Sequence, residues 1–551
     1  MDKQENTALN GTGASRGIAF GRISFLHRMA SSPPRTPVDD VVAECDRFEK
    51  ARLHAIYQLG NLYDASLEKL GEQNAALFQI HQMMLEDPDY VSSINTYITE
   101  ERCNAEYAVH VVAHSFERKF ELMDNDYMQA RASDVIDVSR RVNEILMMHA
   151  GNIKGKSVYF ENEPPVILAT DDLVPSETVQ LDPQTVTGII TSKGSTRSHT
   201  VIFARTMAIP AVICLGKQLT KDLEGHPAII DGANGLVIVD PTEQQIADYT
   251  EIKRTDDAQR SHLEKFRSKE TVTRSGRKIM LYANVGTLAD LDYVKAADAE
   301  GIGLCRSEYI FLQAQDYPSE EEQFVVYRKM VESMGGKRVV IRTLDIGADK
   351  TADYFMLKKE ENPAMGLRAV RLCLDNQRLF KTQLRALYRA SMYGKLAIMI
   401  PMVSSVDEVK DCRALCYEVQ HELEDEGIPF DKNVEFGIMI ETPASAIISD
   451  ELAPLVDFFS IGTNDLTQFT LAADRQNADV SKFLNPYHHA VVRLIERTIE
   501  NGHAAGIWVG VCGELAADEN FVAKLIQMGV DELSVVPSSV LRLRAKISTI
   551  G

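Results

Sequence analysis

Residues 437–445 read GIMIETPAS, and residues 458–475 read FFSIGTNDLTQFTLAADR. Each stretch opens on an apolar run and closes on polar groups, Glu441 in the first and Asn464 with Asp465 in the second. The first run begins at residue 435 as EFGIMI, and six others share its character: KIMLYA (278–283), GIGLC (301–305), RVVI (338–341), LAIMIP (396–401), IWVGV (507–511) and LSVV (533–536). Short runs that are apolar on both faces match parallel strands buried on both sides, and helix-like segments separate most of them. Eight of them between residues 278 and 551 predict a (β/α)8 barrel. The residues ending the runs are Asn284, Arg306, Arg342 with Asp345, Met402, Glu441, Asn464 with Asp465, Cys512 with Glu514, and Pro537 with Ser538. Charge after a single strand would mean only that loops are wet. A barrel, however, opens all its strand C-termini onto one face, so a series of such groups converges on one cavity.

The chemistry of that cavity follows from its residue types. Glu441 and Asp465, with Asn464 alongside, suit a hard octahedral cation such as Mg2+, which takes few protein oxygens and completes its shell with substrate and water. Arg306, Arg342, Arg368 and Arg475 match a compact polyanion, because guanidinium pairs bidentately with phosphate and carboxylate. Together they imply a phosphorylated acid as substrate, with Arg371 in the same stretch reading as a structural ion-pair partner. Cys512, in VGVCGEL, is either a small buried hydrophobe or an un-ionised thiol that delivers a proton to substrate carbon.

Working back from the barrel, residues 244–277 are highly charged and read as a solvated helix serving as a linker. Before it come short β runs, PVILAT, TGIIT, AVICL, AIIDG and LVIVD, with SVYF at 157–160. Residues 11–27, GTGASRGIAFGRISFLH, read as a glycine turn followed by a strand that joins the same sheet. Between these lie amphipathic helices over Asp46–Leu70, Asn74–Leu85, Pro88–Thr99, Ala105–Leu122 and Tyr127–His149, with Phe48, Leu53, Ile56, Leu59 and Leu62 placed on one face of the first. The bundle is therefore an insertion in an α/β domain. His199, in KGSTRSHTVIFAR, stands where a Gly- and Ser-rich turn meets a helix, and free amides there favour an incoming phosphoryl group. Neutral imidazole is a competent nucleophile, although the local sequence alone favours a surface histidine.

Composition narrows the class. The chain has 551 residues, 59 Lys plus Arg against 80 Asp plus Glu, a formal charge of -21 and 45% hydrophobic residues. That length predicts three or four units, each able to bury a core. The acidity and the lack of a basic cluster argue against nucleic acid as a partner. A polar start, MDKQENTALN, and no apolar run of about 18 residues argue against membrane insertion and for a cytoplasmic enzyme. Eight scattered cysteines fit reduced thiols, and Cys412 with Cys416 lack the further ligands that structural zinc wants.

The runs GLCRSEYIF (303–311), IRTLDIGADK (341–350), ENPAMGLRAVRL (361–372), GIMIETPAS, SIGTNDLTQ and GVCGELAADE (510–519), together with GSTRSHT and DLVPSET (172–178), resemble the enzyme I family of the phosphoenolpyruvate sugar phosphotransferase system. The resemblance covers nearly the whole chain. It implies that phosphoenolpyruvate phosphorylates His199, leaving pyruvate, and that the phosphohistidine donates to the carrier protein HPr. Under it Arg306, Arg342 and Arg475 hold the substrate phosphate, Arg368 and Asn464 help fix the substrate, and Glu441 with Asp465 ligate Mg2+. Cys512 protonates the enolate, and Thr178 orients the ring of His199. The implied domains are a phosphohistidine α/β domain (1–33 and 151–243), a helical HPr-binding insertion (34–150), the linker (244–277), and a barrel (278–551) that binds phosphoenolpyruvate and forms a homodimer.

The chain departs from the family pattern at Ser195 and Arg197, where the arginine is displaced by one place. Val174 stands for a threonine, and Cys305 for a common tyrosine. Two rivals share these features. A dikinase or synthase would charge its histidine from ATP, but no G-x-x-x-x-G-K-[ST] loop is present. A regulatory relay without turnover would have no use for a polyanion cavity with a metal site.

Overall fold

The computed structural model describes residues 7–26, 33–70, 72–122, 132–149, 165–173, 175–178, 181–182, 184–195, 198–347, 352–358 and 360–551. The chain divides into two compact units, Met1–Gln259 and Arg260–Gly551.

The first unit combines a sheet with a helical bundle. Its strands are β1 (Thr7–Asn10), β2 (Thr12–Ser15), β3 (Ile18–Phe25), β4 (Val166–Thr170), β5 (Val186–Thr191), β6 (Ala211–Ile213), β7 (Pro227–Asp231) and β8 (Leu236–Val239). They form one sheet in the order β1-β8-β7-β3-β4-β5-β6-β2. β3 pairs parallel to β4 and antiparallel to β7, so the strand before the bundle sits in the same sheet as those after it. The bundle is therefore inserted between neighbouring strands, as the sequence implied; SVYF lies outside the described residues.

The bundle comprises α1 (Val41–Leu70), α2 (Glu72–Glu86), α3 (Pro88–Glu101), α4 (Ala105–Glu121) and α5 (Ala132–His149). The start of the last expected helix, residues 127–131, lies outside the described residues. α1 begins before the apolar periodicity does, because Asp40 Oδ1 accepts from the Val42 and Ala43 N–H groups at 3.1 and 3.0 Å. α3 starts at Asp87, whose carboxylate accepts from Asp89 and Tyr90 N–H, with Pro88 at the first position. The buried stripe of α1 runs through Phe48, Ala51, Ala55 and Leu59, all at most 1% exposed. Leu53 was expected on that face but is 53% exposed, since the small alanines carry the helix-to-helix contact and turn position 53 outward.

Three further helices belong to this unit: α6 (Pro175–Thr178), α7 (His199–Thr206) and most of α8 (Glu243–Glu264). α8 buries none of its residues, in keeping with its run of charges.

The second unit is a closed barrel of β9 (Met280–Val285), β10 (Ile302–Arg306), β11 (Val339–Arg342), β12 (Leu396–Ile400), β13 (Glu435–Ile440), β14 (Phe458–Ile461), β15 (Trp508–Val511) and β16 (Glu532–Val535). Every neighbouring pair is parallel, and β16 closes the ring on β9 with Leu533 opposite Leu281. Successive side chains alternate faces. Leu281, Ile398, Ile438 and Leu533 pack outward under the helices, while Leu304, Val340, Ala397, Met399, Met439 and Phe458 fill the interior. Residues ahead of β9 are bonded to this unit: Arg544 donates to the Phe266 carbonyl and to Thr271 Oγ1, both at 3.1 Å.

Cys412 and Cys416 share the buried face of helix Val406–Asp425, where they act as small apolar side chains. All eight cysteines are free. Among the described residues no helix is long and apolar enough to cross a membrane.

Candidate active site

The C-terminal ends of the barrel strands carry the charged residues that the sequence singled out. Arg342 ends β11 and is 5% exposed. Its Nη2 pairs with Glu308 Oε1 at 2.6 Å and with Asp345 Oδ2 at 3.3 Å. Arg368 forks onto the same Asp345, with Nη2 at 2.8 and 3.0 Å from the two carboxylate oxygens. Burial works against the charge of Arg342, but Glu308, Asp345 and Glu441 outweigh it and hold the guanidinium above its ordinary range. The Nε of Arg342 has no hydrogen-bond partner among the described residues. A buried, permanently charged donor without a partner is a place for an anion.

Beside it, Glu441 follows β13 and is 1% exposed. Its Oε1 accepts from the Met402 N–H at 2.6 Å. Met402 reaches that position with φ 57°, a left-handed turn that aims its amide at the carboxylate. Burial, and then the charge of Asp465, push Glu441 up to about 8, against an ordinary value of 4.5. Two carboxylates disfavouring each other's charge in a buried place are the donor set that a divalent cation relieves. Gly462 gives them room, since a Cβ there would lie 3.1 Å from Glu441 Oε2. No group of three or more His, Cys, Asp or Glu able to hold a metal occurs among the described residues. Two carboxylates are nevertheless a sufficient protein share for an octahedral cation that also takes substrate and water oxygens.

Asp465 lies in the first turn of helix Thr463–Leu471, and Arg475 Nη2 stands 3.5 Å from its Oδ1. Arg368, Asp465 and Arg475 line one cavity of about 530 Å3 together with Asn362, Met365 and Gln468. Arg306, at the end of β10, is exposed and stands opposite Arg342 in the strand register. Asn464 exchanges hydrogen bonds with Glu514: its Nδ2 donates to Oε1 at 3.3 Å, and its Oδ1 accepts from the Glu514 N–H at 3.0 Å.

Cys512 follows β15 and is 6% exposed. Burial pushes its thiol up to about 12, with the Ser460 hydroxyl pulling down and Glu532 and Glu441 pushing up. It therefore stays un-ionised at neutral pH, the state an acid needs. Asn284 Nδ2 donates to the Cys512 carbonyl at 3.3 Å. Ser538, by contrast, is exposed and has no role that the structure indicates.

In the first unit, His199 opens α7, with Ser198 as its N-cap at φ −66°, ψ 156°. Thr200 Oγ1 donates to Asp172 Oδ1 at 2.5 Å and accepts from the Leu173 N–H at 3.1 Å, tying the helix start to the DLVPSET stretch. Gly194 turns the chain at φ 116°. Thr178 is 3% exposed at the end of α6. The His199 side chain, Arg197 and Val174 lie outside the described residues, so the expected Thr178–His199 bond does too.

Sequence reasoning gave no role to Glu308, Thr200 or Asp172. Glu308 had one signal: an acid in the first turn of the otherwise apolar helix EYIFLQ, two places after a strand-end arginine. It is 3% exposed, and carboxylates seldom reach such burial unless paired.

Residues 10–131, 162–235 and 260–551 match three family descriptions in turn: PEP-utilising enzyme, N-terminal; PEP-utilising enzyme, mobile domain; and PEP-utilising enzyme, PEP-binding domain. The chain is 42% identical over 543 residues to a phosphoenolpyruvate-protein phosphotransferase of Bacillus sp. (strain S), spanning 98% of this chain and 93% of that one. The figures are the same for the protein of that name from Geobacillus stearothermophilus. For the Priestia megaterium protein they are 41% over 540 residues, with 98% and 93% covered.

Proposed function

The chain belongs to the phosphoenolpyruvate-protein phosphotransferases, and from that premise we propose how its residues divide the reaction. The barrel mouth takes phosphoenolpyruvate. His199 accepts the phosphoryl group and passes it to a histidine of HPr, and pyruvate leaves. The observation that carries this reading is the buried Arg342 with its unpartnered Nε, set beside Glu441 and within the electrostatic reach of Cys512.

Phosphoryl transfer passes through a loose transition state, so catalysis is chiefly positioning and neutralisation of charge. Arg342 does both from a fixed place, because Glu308 and Asp345 hold it before substrate arrives. Arg306 and Arg475 complete the grip on the phosphate. Arg368 and Asn464 fix the rest of the substrate. Glu441 and Asp465 would hold Mg2+, and neutralisation of substrate charge is the chemistry that such a cation would supply when bound. As the P–O bond breaks, charge moves onto the enolate, and the Cys512 thiol gives its proton to the methylene carbon. On the other unit, Thr178 orients the His199 ring, and the α7 amides face the phosphoryl group.

The helical insertion serves as the HPr surface, the barrel as the homodimer contact, and the enzyme works in the cytoplasm, where its eight free thiols stay reduced. The test is exposure of the purified protein to phosphoenolpyruvate with Mg2+, followed by detection of acid-labile phosphate. The reading requires labelling that ATP alone does not produce; an unlabelled protein, or labelling by ATP, overturns it.

A further inference from the structure

An acid interrupts the lining of the barrel interior. Glu532 opens β16, and the alternation that sends Leu533 and Val535 outward sends Glu532 and Ser534 inward. The carboxyl fills space left by two glycines: a Cβ on Gly510 would collide with Oε2, and one on Gly303 with Oε1. Glu532 is 1% exposed, and Oε1 has no hydrogen-bond partner among the described residues. Burial pushes its carboxyl well above the ordinary carboxylate range, with Arg338 only partly opposing, which favours the protonated form. A buried carboxyl with an unpartnered oxygen is an expensive space-filler. A Gln or Met would serve that purpose at less cost.

What stands above it is the thiol. On β15 the inward position after Gly510, which is level with Glu532 in the register, is Cys512. The step between them is polar. Ser534 crowds the same face of Gly303 as Glu532 Oε1, and its hydroxyl donates to Asn284 Oδ1 at 2.6 Å. Ser460 on β14 is buried beside the thiol, and its Oγ has no hydrogen-bond partner among the described residues. Facing Glu532 from below are Arg338 of the β11 approach and Tyr282 of β9. Arg338 Nε is paired at 2.8 Å with Glu435 of β13 and lies over the Trp508 ring of β15 at 4.9 Å. The Arg338 and Glu435 side chains are 24% and 30% exposed, so this end of the barrel reaches water.

We propose that Glu532 is the proton reservoir that reloads Cys512, a reading that rests on Cys512 being the acid. In the first step a C–H bond forms at the enolate methylene as the S–H bond breaks. The thiolate then takes the hydroxyl proton of Ser460, which takes the proton of Glu532. The carboxylate recovers a proton from solvent at the strand-start end, so each pyruvate consumes one solvent proton. Delivery from below keeps water away from the mouth, where it would compete with the imidazole for the phosphoryl group.

The test is rapid-quench kinetics on the full-length protein with phosphoenolpyruvate, Mg2+ and HPr. Glu532→Gln is expected to form the first pyruvate per site at the wild-type rate, because Cys512 begins protonated, and then to turn over about tenfold more slowly or worse, as loss of a proton-transfer group does. Ser460→Ala should give the same burst and slow phase while retaining its first turnover. If either variant cycles within about twofold of wild type, or slows its first turnover in proportion to its steady state, the relay is wrong. Cys512→Ala tests the underlying assignment separately: it must lose the first turnover itself, and a normal burst from it would remove Cys512 as the acid whatever Glu532 does.

Discussion

At the barrel mouth Arg342 is gripped by Glu308 at 2.6 Å and Asp345 at 3.3 Å, and Arg368 forks onto the same Asp345. At the start of α7 the tie is a hydrogen bond rather than an ion pair: Thr200 to Asp172 at 2.5 Å. The mouth joins Glu308, Arg342, Asp345 and Arg368 from separate strand ends into one buried ion-pair network. The histidine segment joins the 172–173 stretch to the start of α7 through hydrogen bonds of Thr200. The first arrangement suits a pocket whose field must be in place before substrate binds. The second suits a nucleophile that must serve two partners in turn, taking a phosphoryl group in one encounter and surrendering it in the next.

The largest effect should come from His199→Ala, which is expected to abolish acid-labile phosphoprotein completely while calorimetric binding of phosphoenolpyruvate to the full chain stays within about twofold. Loss of both would break the comparison, because the two regions would then not be separable. Next, Arg342→Ala should lower pyruvate formation by on the order of 10³–10⁵, the effect of removing an arginine from a phosphoryl-transfer site. It should also destabilise the barrel by about 3–5 kcal/mol in denaturant titration, since Glu308 and Asp345 lose a buried partner. A variant that loses rate without losing stability would show that the bracing is not what positions Arg342. Cys512→Ala should cost about 10²–10⁴ in pyruvate formation with Mg2+ affinity nearly unchanged, and equal loss of metal binding would make the residue structural.

A smaller effect concerns Glu441. Its folded-state value of about 8 lies above the ordinary 4.5, so the stability it contributes is fully present below about 4.5 and is lost as pH rises through about 8. Without Mg2+, the protein should lose stability with rising pH relative to Glu441→Gln, by on the order of 1 kcal/mol per pH unit across that window. Parallel pH profiles for the two proteins would show that the mouth does not strain this carboxylate. The smallest expected effect is at Thr200: Thr200→Val should slow phosphorylation about tenfold, the low end of what one hydrogen bond to a charged group is worth, and leave phosphoenolpyruvate binding untouched. A loss as deep as that of Arg342→Ala would mean the histidine segment is braced as heavily as the mouth.

Much of the barrel was legible because its signal is local. Each of the eight apolar runs became a strand, and Glu441, Asp465 and Cys512 stand at the ends where those runs placed them. Leu53 was misread because periodicity ranks side chains by hydrophobicity, while the actual contact of α1 uses Ala51 and Ala55 to let helices approach. Glu308 was passed over because an acid in a helical first turn is ordinary until a buried guanidinium is seen beside it.

The order of apolar runs and the residue types that follow them determined the barrel, the face on which its chemistry lies, and the class of anion it receives, since strand period and side-chain charge are properties of neighbouring residues. Only the tertiary structure decided which charges are active together. It left Arg306 exposed while burying Arg342 opposite it, paired Arg342 with Glu308, and opened at Gly303 and Gly510 the slot that buries Glu532. The physical reason is that removal from water sets the strength of a charge, and that removal is made by strands brought together from distant parts of the chain.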